Sequence, residues 1–488
     1  MPEVPAFART RKCCIGPGRR TLPALSFCAS WLSVAPMIRT AFAAATLLLA
    51  VSASAQSQQE RLDARYDRAL AAGYKALMLC GAMSSAERNL GGRTAESVHQ
   101  WELTGIDPAL DPLIRELPFR VIRAPDGRVS HVAVDWAEDM VPRIARHDPD
   151  EGCKALPISM DAPDEKRFGP DDGAFVVTVL HPKTAGTLVD SAKAAFGDGY
   201  GKGSRTTAVV ISVDDRVEVA EYADGIDGKP QRTWSVAKSI AATLVGAAVY
   251  RGEADVNASA GLGLSDADPR SAITIDHLLR MASGRYSDTP GNRTDPLYWG
   301  GATVDEVALD WPLIAKPGST YRYANNDTLA AVAAIKPTFA AHPPSAFFAK
   351  LGMNDTIAET DWQGNYVLSS QVWTTAYDLV AFGQLYLNDG KLPDGTRVLP
   401  EGWVKYVSTP SGPQPPTGTF GYGAGFWLLN KEEGVPADTF AAIGNRGQYV
   451  VIVPSRKVVI VRRGEDPAGK GFDIAAFTRD VLAGLAAE

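Results

Sequence analysis

With 488 residues, 45% of them hydrophobic and 22% charged, the chain has material for a large buried core and lacks the composition of a disordered protein. Its net charge is −7, and no Lys/Arg cluster follows the first 55 residues, which excludes nucleic acid and an anionic membrane surface as expected partners. Only six histidines occur, with no HExxH, no closely spaced pair and no CxxC, so no metal site is expected.

In chain order, residues 37–55 read MIRTAFAAATLLLAVSASA. Arg39 gives a positive start, Ala41–Val51 an apolar run, and Ala53-Ser54-Ala55 a small-residue cleavage site. This is the three-part pattern of a secretory signal peptide, with an apolar run too short to span a bilayer comfortably. Residues 1–36 then read as an upstream mis-start, and the mature protein is expected to be periplasmic or secreted, without stable membrane insertion after signal cleavage. Cys13, Cys14 and Cys28 fall in the leader. Cys80 and Cys153 remain, and an oxidising compartment predicts a disulfide between them; two buried free thiols are the alternative.

Residues 56–110 carry apolar positions near a 3.6-residue period and predict helices. Residues 117–175 hold short strand-like pieces among Asp, Pro and Arg, so 56–180 reads as an N-terminal appendage. LVDSAKAAF then predicts a helix, and TTAVVISVDDRVEVAEYA a hairpin turning at Asp214-Asp215. Residues 239–400 are mostly helical. Thr274 caps IDHLLRMASG with Gly284 at its end, and Thr375 with Asp378 forms a capping box before LVAFGQLYLNDG. Strands return at YGAGFWLLN, FAAIG, QYVVIVPS and KVVIVRRG, and GFDIAAFTRDVLAGL closes the chain as an amphipathic helix. Strands thus open and close residues 181–488, with helices between. The expected fold is α+β, an α/β sandwich: one antiparallel sheet flanked by the terminal helices, plus a mostly helical lobe over about 239–420.

The stretch RTWSVAKSIAATLVG carries the chemistry. Ser235 and Lys238 stand three residues apart at the start of an apolar helix, so they share a face. A serine hydroxyl needs a base within hydrogen-bond reach, and burial beside Val236, Ile240 and Leu244 disfavours a charged lysine. An isolated SxxK also fits a lysine that merely snorkels from an ordinary helix. Two observations favour chemistry. This is the only SxxK in the chain, directly after a hairpin, and about ninety residues later comes Tyr323-Ala324-Asn325 in YRYANND. A phenol can relay a proton beside a lysine, and an amide can hold the lysine and a substrate carbonyl. A second YxN, Tyr386-Leu387-Asn388, lies within an amphipathic helix where Tyr386 reads as core. No GxSxG is present, and Gly263-Leu264-Ser265-Asp266-Ala267 is a near miss in a loop. His277 reads as a structural hydrogen-bonder, and Trp299 and Trp311 as candidates to line a pocket.

SxxK, then YxN, then a Gly-containing triplet on a late strand resembles the pattern of the serine β-lactamase and penicillin-binding-protein superfamily. The likeness is greatest to class C β-lactamases and their esterase and 6-aminohexanoate-dimer-hydrolase relatives, and spans roughly residues 180–488. The segments around Cys80 and Cys153 look like the extra N-terminal region of some periplasmic members. The resemblance implies a β-lactamase/transpeptidase-like fold and no cofactor. It implies Ser235 as acylated nucleophile, Lys238 as base, Tyr323 as proton relay and Asn325 as substrate contact, with the backbone N–H groups of Ser235 and Gln448 as oxyanion hole. The third triplet aligns with Asn445-Arg446-Gly447, where Lys or His usually leads. Arg446 is the candidate for the missing charge, and Gly447 would allow close backbone approach to an acyl group. The expected activity is a serine hydrolase acting on a small-molecule ester or amide. The alternatives are a β-lactamase or D,D-peptidase acting on β-lactams or peptides, and a binding or sensor module that keeps the fold without turnover. The pattern sets no oligomeric state.

Overall fold

The structure is a computed structural model that describes residues 35–88, 91–160, 182, 185–286 and 294–487. The expected mis-start over 1–36 lies almost entirely outside these residues, and the signal-peptide stretch is described only as helical backbone. No described helix is long and apolar enough to cross a membrane.

Helix α1 (Ala35–Arg88) is continued by two short helices, α2 (Ala95–Trp101) and α3 (Asp111–Glu116). A four-stranded antiparallel sheet follows in sequential order: β1 (Phe119–Arg123), β2 (Val129–Val134), β3 (Arg143–Asp148) and β4 (Gly152–Ala155). Val132 and Val134 alternate along β2, a bulge opposite Ile122–Arg123 brings Val129 into the same core, and the buried run from Ala71 to Ala86 of α1 covers it. A disulfide joins Cys80 on α1 to Cys153 on β4, with Cα atoms 5.9 Å apart. The core beneath α1 is shared: Leu297, Tyr298, Trp299, Leu329 and Trp373, far along the chain, pack into it.

The second half begins with α4 (Thr187–Ala194) and the hairpin β5 (Thr206–Val213) and β6 (Arg216–Tyr222). Asp214 and Asp215 make its turn at φ of 47° and 62°, a region their short polar side chains tolerate. The short strand β7 (Gln231–Arg232) leads into α5 (Val236–Tyr250). The helical lobe holds α6 (Ile275–Leu279), α7 (Pro296–Trp299), α8 (Asn325–Ile335) and α9 (Pro344–Lys350). Strands β8 (Ile357–Ala358) and β9 (Val372–Thr374) pair with β7 in a small sheet, followed by α10 (Ala376–Leu387) and α11 (Trp403–Ser408). Thr274 caps α6 as expected, but that helix ends at Leu279, because Met281 turns to φ 57° well before Gly284. The Thr375 side chain accepts from the Asp378 N–H at 3.1 Å and starts α10.

The last strands are β10 (Gly421–Tyr422), β11 (Trp427–Leu428), β12 (Phe440–Gly444), β13 (Gln448–Val453) and β14 (Val458–Gly464), before α12 (Ile474–Ala487). They join the early hairpin in one antiparallel seven-stranded sheet, order β10-β11-β12-β13-β14-β5-β6. The closing seam is β14 on β5, with Val458 opposite Val213 and Ile460 opposite Ile211. Both faces are apolar. Val209, Ile211, Val451 and Ile460 meet α4 and α12, whereas Val210, Val450, Val459 and Val461 meet α5 and α10. Each such side chain contributes about 1.5–3 kcal/mol on burial, so a sheet apolar on both faces requires helices on both. The α+β sandwich expected from the strand–helix–strand order is the architecture observed.

Candidate active site

Strand β7 and helix α5 are joined by Thr233, Trp234 and Ser235. Trp234 sits at φ 50°, a conformation costly for a bulky residue, so the surrounding packing must enforce this bend. Ser235 occupies the helix-cap position, yet its hydroxyl makes no capping bond to the α5 backbone. It remains half-buried and open to other partners. One turn on, Lys238 is 2% exposed. Its Nζ lies 2.9 Å from Ser235 Oγ, 2.5 Å from Asn325 Oδ1 and 3.0 Å from the Ser369 carbonyl. Two of these three neighbours can only accept. A neutral amine satisfies both with its two N–H bonds and turns its lone pair on the Ser235 hydroxyl. Burial, and then the positive charge of Arg232, lower the Lys238 pKa to about 7, so the neutral form is abundant at physiological pH.

Tyr323 lies on the loop entering α8, its ring centroid 5.0 Å from Lys238 Nζ. Burial pushes its phenol up to about 12, and hydrogen bonding with the Ser235 and Trp427 side chains pulls the other way. The phenol is therefore protonated at neutral pH and touches the same hydroxyl as the lysine. It stands in an aromatic wall, with Trp427 at 5.3 Å, Tyr422 at 6.0 Å and Tyr321 against Tyr422 at 5.5 Å. The first turn of α8 is pinned from below, since Arg285 pairs with the buried Asp327 at 3.1 Å. That anchor fixes Asn325, whose Nδ2 donates to Thr294 Oγ1 at 2.9 Å while Oδ1 takes the lysine. Both ends of the Asn325 amide are engaged inside the protein. Asn325 thus orients Lys238, while the second N–H of its amide keeps the capacity for the substrate contact expected of it.

The third triplet departs from expectation. Asn445 is exposed on the turn between β12 and β13. Arg446 points away from the serine: it pairs with Glu465 at 2.6 Å and donates to the carbonyls of Trp101, Thr104 and Gly105. It clamps the N-terminal region to the sheet and supplies no charge for a substrate. A side chain at Gly447 would collide with the Arg462–Asp466 ion pair, so that glycine makes room for structure rather than for an acyl group. Gln448 is fully enclosed, with its Oε1 taking the Arg463 Nε–H at 2.5 Å. The residue beside Ser235 is Gly444, where a Cβ would stand 3.1 Å from Ser235 N and strike the Thr233 carbonyl. In GNRG, the first glycine rather than the second approaches the serine, and nothing in spacing alone distinguishes them.

Trp299 stacks on Tyr74 at 4.3 Å and is buried in the shared core. Trp311 is tied down by its indole N–H to the Val307 carbonyl at 2.8 Å. His277 completes the cap of α6 by accepting from the Thr274 N–H, the structural role expected of it. Ser369 and Arg232 are the contributors sequence reading missed. Arg232 was visible three residues before Ser235, whereas a backbone carbonyl such as that of Ser369 has no sequence signal. Among the described residues, no group of three or more His, Cys, Asp or Glu side chains could hold a metal ion.

The profile of the Beta-lactamase family matches residues 193–476, more than half of the chain. The chain belongs to the Beta-lactamase family. The match contains Ser235, Lys238, Tyr323 and Asn325 and begins after the four-stranded sheet. No curated protein matches the sequence. Similar solved structures include a provisionally assigned 6-aminohexanoate-dimer hydrolase from Bacillus anthracis, at 20% identity and TM-score 0.48, covering 58% of this chain and 79% of that one. A provisionally assigned β-lactamase from Bacteroides dorei DSM 17855 follows at 19% identity and TM-score 0.48, covering 61% and 98%. An octameric penicillin-binding-protein homologue from Pyrococcus abyssi stands at 17% and 0.46, covering 62% and 76%.

Proposed function

We propose that this β-lactamase-family protein is a serine hydrolase that cleaves an ester or amide through an acyl-enzyme on Ser235, with Lys238 as base. The observation that carries the reading is the buried Lys238 amine 2.9 Å from Ser235 Oγ. As Oγ attacks the substrate carbonyl, its proton passes to Nζ and the carbonyl oxygen takes the negative charge. The Ser235 N–H, beside side-chain-free Gly444, is one donor for that oxyanion. We assign the second to the N–H of Asn445, the residue after Gly444, in place of Gln448. Collapse breaks the bond to the leaving alkoxide or amine, which takes a proton from Lys238 by way of the Tyr323 phenol. Water then adds to the acyl-serine, the same base removes its proton, and the acid departs as the serine is restored.

Two features support an uncharged ester or linear amide over a β-lactam or a peptide carboxylate. With Gly444 as the glycine beside Ser235, the two positions before it are the apolar Ala442 and Ile443, and the nearby Arg446 is engaged with Glu465 and backbone carbonyls. The wall beside the nucleophile is aromatic. Turnover of p-nitrophenyl acetate without turnover of nitrocefin is the expected result, and the reverse would establish the β-lactamase alternative. Absence of labelling by a fluorophosphonate would leave only a binding module. The Cys80–Cys153 bridge supports our further reading that the protein works in the periplasm or outside the cell.

A further inference from the structure

Arg232 is 1% exposed, three residues before the nucleophile. Its guanidinium lies 3.8 Å from the Trp234 ring centroid and 4.9 Å from that of Tyr298. Nε donates to the Ser370 carbonyl at 3.2 Å, Nη2 to Ser370 Oγ at 3.3 Å and Nη1 to the Tyr74 hydroxyl at 3.4 Å. None of these partners is a carboxylate. The Glu359 carboxyl feels the charge of Arg232, but burial raises it to about 8, leaving it largely protonated at neutral pH. A buried cation with only neutral partners is costly, and a plain packing role is better served by an apolar side chain.

The geometry connects this cation to the lysine. Ser370 holds Arg232, and the carbonyl of the preceding residue, Ser369, receives Lys238 Nζ at 3.0 Å. The Tyr298 hydroxyl accepts from Ser370 Oγ at 2.7 Å and lies 3.3 Å from Ser369 Oγ, closing the turn from the other side. Tyr74, stacked on Trp299, brings α1 of the N-terminal region into the same network. We propose that Arg232 is a positioning residue for Lys238, fixing the Ser369–Ser370 segment that anchors the amine and setting a permanent positive charge beside it, with Tyr74 as its brace. The N-terminal region is thereby part of the active site's support. This inference rests on the assignment of Lys238 as base.

The charge and the strut are separable by pH. The titratable groups around the pair are Arg232 on β7, Tyr298 on α7, Tyr323 before α8, Glu359 just after β8 and Tyr74 on α1. Of these, burial holds Tyr323, Glu359 and Tyr74 toward their neutral forms. A like charge disfavours a protonated amine, so its removal makes Lys238 harder to deprotonate and moves the acidic limb of kcat/KM upward. A purely structural loss would lower the plateau and leave the limb in place.

The experiment measures kcat/KM for p-nitrophenyl acetate against pH in the native protein and in Arg232→Gln, Arg232→Met and Tyr74→Phe, with folding followed by circular dichroism. Arg232→Gln, which keeps donors for Ser370, should move the limb up by about one pH unit with a nearly native plateau. Arg232→Met should move it equally and lower the plateau about tenfold. Tyr74→Phe, which keeps the Trp299 stack, should lower the plateau about threefold and leave the limb unmoved. A folded Arg232 variant with a native limb overturns the proposal. If neither Arg232 variant folds, Tyr74→Phe decides, and native rates there overturn it. Inactive Lys238→Met alongside native-like Arg232 variants would reject this inference alone. Active Lys238→Met would reject the assignment of the base itself.

Discussion

Two short turns carry the polar residues of this protein's motifs, and they behave oppositely. Both follow a strand and both contain a non-glycine residue at positive φ, Trp234 at 50° and Arg446 at 56°. At the turn into α5, Ser235 and Lys238 converge, with the amine within 3.0 Å of three partners that include the hydroxyl. At the turn between β12 and β13, Asn445 faces solvent, Arg446 reaches the N-terminal region and Gln448 is enclosed beside Arg463. A helix start places i and i+3 on one face, whereas a tight hairpin sends successive side chains in different directions. The same density of polar side chains therefore converges on a serine–lysine pair in one place and forms a clamp in the other, where the proposed contribution to catalysis is the backbone N–H of Asn445 alone.

Substitutions break the comparison most sharply at the nucleophile. Ser235→Ala should lower hydrolysis by about 10⁴-fold or more with the fold intact, because the acyl-enzyme can no longer form. Lys238→Met should cost about 10³-fold, and its native counterpart should show kcat/KM rising with pH through about 7, where burial places the amine. The sign follows from the base being the neutral form: activity is lost as pH falls and Nζ is protonated. Tyr323→Phe, which keeps the aromatic wall and removes the phenol, should lower the rate by about 10–100-fold. At the other turn the effects should change in kind. Arg446→Ala should leave kcat within about threefold of native and lower unfolding stability by about 3 kcal/mol in a denaturant titration, because Glu465 loses its partner while buried. Asn445→Ala should be the mildest, within about threefold in rate and about 0.5 kcal/mol in stability. A large rate loss at Arg446 with unchanged stability would erase the distinction between the two turns.

The fold and the Ser235–Lys238 contact were legible for the same reason: both are written in short-range sequence patterns. Short continuous apolar runs such as QYVVIV and a 3.6-period closing helix specify a sheet with helices on its faces, and i, i+3 spacing joins Ser235 to Lys238. YRYANND added Tyr323, because one phenol beside a lysine suffices to place the relay. Legibility failed where a contact depends on which of two neighbours turns inward. GNRG contains two glycines, and the register of Gly444 opposite Gln448 decides which one meets Ser235. Arg446 looked like the missing charge, but its partners at Trp101, Thr104 and Gly105 lie more than three hundred residues earlier in sequence, beyond any local pattern. Trp299 was misread likewise, since its stacking partner Tyr74 belongs to the N-terminal helix.

The account rests on a desolvated, neutral Lys238 activating Ser235, and the most direct measurement is the pH dependence of fluorophosphonate labelling, with the labelled residue identified by mass spectrometry. The prediction is one adduct, on Ser235, forming at a rate that rises through a midpoint near pH 7, the region to which burial lowers Lys238. Labelling elsewhere, no labelling of the folded protein, or a midpoint near the ordinary lysine value of about 10.4 would contradict it.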